Sequence, residues 1–318
     1  MATNRTNHLN DVLITHRISK EEALLVKHKN KRDEIVTALK NNYGVEIYDP
    51  FNSGSYAKNT AVNKKFDFDL MAPFKRNAFS TLKEMYESVY DFLNEKYSGE
   101  AIVRKQKVSI GIEFYADDDN DVVKVDVVPG RELNNDQYKD DKKLNLYVYY
   151  QFGKMEAGSD YIRSNVSAQV SNIKENANKV DLRKIIRLLK IWKIHNNKIP
   201  KSFFIELITI KAFDKKDVSG SLWDKLKIVM EYIKDNVETV SLPDPGNGGN
   251  EVADSLSDWD KSNMSSDMEY MIDRIEDNSD NIKIYFPLND KFPIEEESKN
   301  QYSSSNAGFS VPPATRFG

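Results

Sequence analysis

Asn52-Ser-Gly-Ser-Tyr-Ala-Lys-Asn-Thr-Ala-Val-Asn-Lys-Lys-Phe-Asp-Phe-Asp-Leu70 carries two signals joined by a short polar segment. The first is Gly54-Ser55, a tight turn of small residues, followed by one or two helical turns. The second is Phe66-Asp67-Phe68-Asp69-Leu70, apolar and acidic in alternation. Period-two alternation predicts a strand half-buried on one side. Phe66, Phe68 and Leu70 then face a core, and Asp67 and Asp69 share the opposite face. Two carboxylates side by side repel. A solvated strand face tolerates that, and a hard divalent cation such as Mg²⁺ makes use of it, completed by substrate phosphates.

The chain has 318 residues, enough for one large domain or two lobes. Apolar residues make up 39% and charged residues 30%, as in ordinary globular proteins. With 46 basic and 50 acidic residues the net charge is −4, which argues against a broad duplex-binding footprint. The absence of cysteine excludes disulfides and thiolate metal sites. The start, Met1-Ala-Thr-Asn-Arg-Thr, has no apolar signal core, and Ala2 stands where myristoylation needs glycine. No apolar run approaches membrane-spanning length, so the expected location is the cytoplasm, with no membrane partner.

Ser19-Lys-Glu-Glu22 reads as a capping box opening a helix from about 20 to 41, with Leu24, His28, Ile35 and Leu39 on one stripe and Val36 widening it. Val45–Tyr48 reads as a short strand into the Gly-Ser turn, and 79–97 as an amphipathic helix. Two β-type runs, 101–114 and 121–128, flank an acidic hairpin loop. That loop (Asp117, Asp118, Asp119, Asp121) lacks the glycine and late glutamate of a calcium-binding EF-hand. In Val122-Val-Lys-Val-Asp126-Val-Val-Pro-Gly130 an aspartate sits among five valines. A buried carboxylate needs a partner. Lys124 is one candidate; the other is a metal shared with Asp67 and Asp69. Pro129-Gly130 reads as the end of that strand, the stretch 131–143 as loop and 144–152 as a further strand.

Past 159 the pattern turns helical. Asp181 reads as the cap of a helix with an apolar stripe (Leu182, Ile185, Ile186, Leu189, Trp192). Lys190 borders that stripe, to snorkel or to meet a phosphate. Ser202 reads as the N-cap of the next helix, whose start is a natural anion site. Of Phe203 and Phe204, both can be core, or one can stack on a base. Residues 221–237 read as helix, 242–250 as loop, the following stretch as helix to about 276, 281–288 as a short strand, and 295–318 as a disordered tail.

In order along the chain, Gly54-Ser55, Thr60-Ala61, Asp67-x-Asp69, Val125-Asp126-Val-Val-Pro129, Leu188-Leu-Lys190-x-Trp192, Lys201-Ser202-Phe203 and Asp244–Asn250 resemble the cGAS/DncV-like nucleotidyltransferases (CD-NTases, SMODS domain). Ser202–Phe213 also resembles the 2′-5′ oligoadenylate synthetases. The Gly-Ser turn with downstream strand aspartates is similar to polymerase-β-type nucleotidyltransferases in general.

The resemblance covers about residues 20 to 280 and implies an α+β fold. A polymerase-β-like lobe with a mixed sheet (1–158, including a long N-terminal bridging helix) would face a helical lobe (159–288), with a flexible tail at 289–318. It implies template-independent condensation of nucleoside triphosphates into a cyclic di- or trinucleotide second messenger, with release of pyrophosphate, in bacterial anti-phage defence (CBASS). A downstream effector would respond to the product. Residue by residue, Asp67, Asp69 and Asp126 would bind two Mg²⁺ ions, with Mn²⁺ as a substitute. Gly54 and Ser55 would cradle phosphates, Lys190 and Ser202 would contact the triphosphate, and Phe203 would stack on a base. Arg163-Ser-Asn165-Val166 occupies the lid segment that helps choose the base, which makes Asn165 a nucleotide-binding candidate. Without cysteine there is no zinc ribbon, so sensing of duplex DNA by that device is not expected. The terminal Gly318 resembles the site joined to targets by ubiquitin-like conjugation enzymes in some such systems; an ordinary chain end is the alternative. Rival readings are a linear oligonucleotide synthase, transfer of one nucleotide to a small molecule, RNA or protein, and a non-enzymatic nucleotide-sensing scaffold.

Overall fold

A computed structural model describes residues 2–64, 67–149 and 161–294. Its elements run α1 (Arg5–Thr15), α2 (Glu22–Tyr43), β1 (Phe51–Ser53), α3 (Gly54–Ala57), β2 (Phe68–Phe74), α4 (Leu82–Lys96), β3 (Ala101–Lys105), β4 (Ile110–Phe114) and β5 (Lys124–Glu132). Then follow α5 (Tyr138–Asp141), β6 (Leu144–Tyr147), β7 (Tyr161–Ser164), α6 (Val166–Lys174), α7 (Lys179–His195), α8 (Ser202–Lys215) and α9 (Leu222–Asn236). The hairpin β8 (Pro243–Asp244) and β9 (Asn247–Glu251), α10 (Asp258–Asp277) and α11 (Ile282–Tyr285) complete the chain.

The sheet runs β1-β2-β5-β4-β3, with β6 continuing beside β5 and β7 beside β6. It is mixed, because β2 and β5 are parallel and the other pairs antiparallel. Alternation puts Phe68 and Leu70 of β2, and Val125 and Val127 of β5, into one core. Helices α2 and α4 cover that face with Ile35, Leu39, Met85, Tyr86, Val89 and Leu93, all fully buried. Each such side chain contributes roughly 2 kcal/mol by leaving water. Thr81 caps α4 by accepting from Glu84 N (3.0 Å).

The second core is helical, formed by α1 and α7 to α11 with the end of α6. Among the described residues no helix is long and apolar enough to cross a membrane. The α+β architecture and the long N-terminal helix α2 agree with the sequence reading. The helix α1 is an addition to it. Leu9, Val12 and Leu13 lie in the helical core, so the first residues pack away from the lobe with which the sequence grouped them. Together α1 and α2 span both lobes, joined by a 3₁₀ turn at Ile18–Glu21. That turn replaces the expected capping box: α2 starts at Glu22, and no side chain caps it.

Other expectations are corrected locally. Of Val45–Tyr48 only Ile47 pairs, with Phe74, after a 3₁₀ turn at Gly44–Glu46. Strand β5 runs on past Pro129-Gly130 to Glu132. Pro129 falls where β4 has ended (opposite Val127) and β6 has yet to begin (opposite Gly130), so one edge has no ladder needing its N–H. Within the expected loop 131–143 a helical turn forms, α5. Asp181 sits in the first turn of α7, after Asn178, and Ser202 is the first residue of α8 rather than its cap. The stretch 242–250 forms the β8–β9 hairpin, where buried Asp244 accepts from Gly246 N (2.8 Å) and Gln169 Nε2 (2.9 Å). Residues 281–288 hold the short helix α11 instead of a strand.

The expected lobe boundary at 158/159, Phe66, most of the tail and Gly318 lie outside the described residues. Strand β7, just past that boundary, still pairs with the sheet. Asn289, at the expected start of the tail, is tied to α1 through Thr15 Oγ1 (3.2 Å).

Candidate active site

Strand β1 ends at Ser53, paired with Asp69 of β2. The chain then turns through Gly54, whose φ is +60°. A Cβ built on Gly54 would land on the Asp69 carboxylate. Glycine is required there both for its conformation and for the close approach. Asp69 pairs in parallel register with Asp126 of β5, so their side chains leave the sheet on one face. Asp67 precedes β2 and is half-buried, as are Asp69 and Asp126.

The three acids load one another. Burial, then Asp67 and Asp126, push the Asp69 carboxyl up to about 7, against the pull of Lys58 and Lys190. Burial, then Asp67, also raise Asp126, opposed by a hydrogen bond from Gln106 Nε2 (3.1 Å) and by Lys124. Lys124 pairs with Glu113 (3.2 Å) and not with Asp126. Among the described residues no ammonium or guanidinium is bonded to Asp67, Asp69 or Asp126. A half-buried anionic set held against a glycine-lined approach fits a divalent cation.

Another acidic set is tighter. Asp117, Asp119 and Asp121 bring oxygens within 4.8 Å of one another. The Lys27 ammonium occupies that cluster, at 2.6, 2.7 and 2.7 Å from its carboxylates. The cation there is the protein's own.

A cavity of about 610 Å³ opens beside Asp67 and Asp69. Gly54, Ser55, Lys58 and Thr60 line it from the sheet lobe, and Lys190, Lys193, Ser202, Phe203 and Glu206 from the helical lobe. Seven of the sequence-derived residues therefore meet in one space: Gly54, Ser55, Asp67, Asp69, Lys190, Ser202 and Phe203. Asp126, although in register with Asp69, opens to a neighbouring recess with Gln106, Gly111 and Lys124. Asn165 is not brought in. Its Oδ1 caps α6 by accepting from Ala168 N (2.9 Å), and its Nδ2 donates to the Asp141 carbonyl (2.9 Å).

Phe204 is wholly buried in the helical core, while Phe203 is half-buried at the cavity with the Lys58 ammonium 4.9 Å from its ring centre. Lys190 is buried, and its ammonium binds Glu206 Oε1 (2.7 Å) and Thr60 Oγ1 (2.9 Å). Glu206 also accepts from Lys58 (2.8 Å) and from Thr60 Oγ1 (3.2 Å). Burial opposes ionisation of Glu206, but Lys190 and Lys58 outweigh it and hold the carboxyl well below its usual range. Sequence reasoning missed Glu206, Lys58 and Thr60 as a unit. The signal was the lone charge in Phe203-Phe-Ile-Glu-Leu-Ile-Thr-Ile210, since a carboxylate inside an apolar helix needs buried partners.

No protein-family profile matches the chain. It is 24% identical over 228 residues to the CBASS oligonucleotide cyclase CdnC of Escherichia coli (strain KTE188), spanning 67% of this chain and 68% of that protein. The solved structure of E. coli MS115-1 CdnC with ATP superposes with TM-score 0.63 at 17% identity, covering 85% of this chain and 91% of that one. The Bradyrhizobium diazoefficiens CD-NTase CdnG in complex with GTP superposes with TM-score 0.69 at 11% identity, covering 89% and 96%. The chain carries the fold these proteins share.

Proposed function

We infer that the chain belongs to the cGAS/DncV-like nucleotidyltransferases, and we propose that it condenses nucleoside triphosphates into a cyclic oligonucleotide second messenger with release of pyrophosphate. The observation that carries this reading is the meeting of Gly54, Ser55, Asp67 and Asp69 with Lys190, Ser202 and Phe203 across one cavity. CdnC, described as a CBASS oligonucleotide cyclase, supports the cyclic product and the setting in anti-phage defence.

The cavity is built for a triphosphate and a base. Positive φ at Gly54 lets the backbone approach the acids closely, and the first N–H groups of α3 have no intrahelical acceptor to compete for them. Lysines on the helical side offset phosphate charge, and the Phe203 ring offers a face to a base. A hydroxyl of one nucleotide attacks the α-phosphorus of another; a P–O bond forms, the α–β anhydride bond breaks, and pyrophosphate leaves with the charge. The hydroxyl proton is released next to the carboxylates. Asp67, Asp69 and Asp126 would hold Mg²⁺, or Mn²⁺ in its place, which neutralises the triphosphate and makes the attacking hydroxyl more acidic. The protein supplies positioning and a fixed charge pattern.

Incubating the full chain with labelled nucleoside triphosphates and Mg²⁺ or Mn²⁺, then treating with phosphatase, tests the reading. A phosphatase-resistant product is expected. Phosphatase-sensitive chains would point to a linear oligonucleotide synthase, and no product from any nucleotide pair would overturn the proposal.

A further inference from the structure

The cavity floor sets two lysines in unequal positions. An ammonium has three N–H donors. Those of Lys190 are all engaged, with Glu206 Oε1 (2.7 Å), Thr60 Oγ1 (2.9 Å) and the Thr60 carbonyl (3.4 Å). Among the described residues Lys58 makes one hydrogen bond, to Glu206 Oε2 (2.8 Å), and its ammonium lies against the Phe203 ring at the cavity wall. Both oxygens of Glu206 are thus used, one by each lysine, and Thr60 Oγ1 adds a third donor. The bonds cross between lobes: Lys58 and Thr60 follow α3, while Lys190 and Glu206 lie on α7 and α8.

We propose that Glu206 is a positioning residue that fixes Lys58 as the phosphate-contacting cation of this cavity, while Lys190 serves to neutralise Glu206. The inference rests on the nucleotide-binding reading above and reassigns one of its contacts. The resemblance gives the triphosphate to Lys190, whose donors are spent, whereas Lys58 has two to offer. A carboxylate bearing two ammoniums leaves one net positive charge at the cavity floor, which an anionic oxygen can claim without breaking any existing bond. A buried carboxylate with only one ammonium would leave no such surplus.

The test compares Lys58→Met, Lys190→Met and Glu206→Gln in the full chain, using ATP and inorganic pyrophosphate as separate probes with Mg²⁺. Calorimetric titration reads affinity, thermal unfolding reads stability, and initial rates separate KM from kcat. For Lys58→Met, affinity for both probes should fall about tenfold or more, the loss of one charge-assisted contact, at a Tm close to that of the parent. In Lys190→Met the main effect should be a drop in Tm, because Glu206 loses its nearer partner, with a smaller loss of affinity in the folded protein. With Glu206→Gln, KM for nucleotide should rise more than kcat falls. Lys58→Arg keeps the charge and should recover part of the affinity. If Lys190→Met does not fold, Lys190→Arg with Lys58→Met still gives the ranking.

Lys58→Met binding pyrophosphate like the parent would overturn the inference and leave the proposed function standing. So would Lys190→Met losing affinity at an unchanged Tm. A parent protein that binds pyrophosphate through Lys58 but joins no nucleotides would overturn the proposed function and leave this inference intact.

Discussion

Two triads of aspartates lie beside one sheet, and they differ in where the positive charge comes from. Asp117, Asp119 and Asp121, between β4 and β5, converge on Lys27 of α2. Hydrogen bonding to Lys27 holds Asp117 below its usual carboxylate range. Asp67, Asp69 and Asp126 are half-buried, mutually repelling and bonded to no cationic side chain among the described residues, and burial with repulsion lifts Asp69 to about 7. The first triad is complete as folded and ties a hairpin to a helix. The second is left in electrostatic debt, and a site in that condition gains when a cation arrives from solution. Clustering alone would not separate the two triads; what separates them is the internal ammonium at the first.

Neutralising the second triad should have the largest effect. Asp69→Asn should lower nucleotidyl transfer by more than about a hundredfold, beyond what loss of a supporting contact costs, with far-ultraviolet circular dichroism unchanged. Stability should move the other way. Burial and the neighbouring acids push the folded carboxyl up to about 7 from an ordinary 3.8, so between those values the folded state holds a proton that the unfolded chain has lost. Without metal, the parent should lose stability as pH rises from about 4 to about 7, and Asp69→Asn should flatten that slope. Mg²⁺ should raise the Tm of the parent and not of Asp69→Asn. A parent whose stability rises over that range would break the comparison.

Gly54→Ala tests the approach to the same triad. Its Cβ meets the Asp69 carboxylate, and positive φ costs a further ~1 kcal/mol or more for a non-glycine residue. Lower Tm together with loss of activity is expected; a variant as active as the parent would mean that the acids need no close backbone. Gln106→Leu removes the hydrogen bond that Gln106 donates to Asp126 and should weaken Mg²⁺ affinity by about tenfold, read as a shift in the metal concentration for half-maximal rate.

The smallest effect on activity should come from Lys27→Met. The first triad would then lack its cation, with a modest drop in Tm and no change in transfer rate. Added Ca²⁺ should stabilise that variant more than it stabilises the parent. Equal responses would show that Lys27 does not compete with a cation for the first triad.

Much of this was legible in the residues. Alternation along Phe66–Leu70 placed Asp67 and Asp69 away from the core, and Asp126 was conspicuous among valines because a carboxylate there must be explained. Amphipathic periodicity located α4 and α7, since burial of one face follows from spacing alone. Cap identities were less legible. Ser19 and Ser202 satisfy the local pattern, yet Ser19 lies within a 3₁₀ turn and Ser202 is the first residue of α8, a shift of one position. The polar α1 was missed because its few apolar residues gain their value only inside the helical core. Asn165 was matched by segment position, and the structure commits its side chain to a helix cap.

The sequence by itself determined that acids at 67 and 69 share a strand face, that a buried acid at 126 needs a partner, that a glycine turn precedes the first two, and that a helical half follows a β-rich half, because charge, backbone permission and periodicity are local properties. Only the tertiary structure decided which cation each acid receives. Lys27 reaches Asp117, Lys190 and Lys58 reach Glu206, and none is bonded to Asp69. Those pairings join residues far apart in the chain, and the energy of a buried charge is set by what the fold brings within a few ångströms of it.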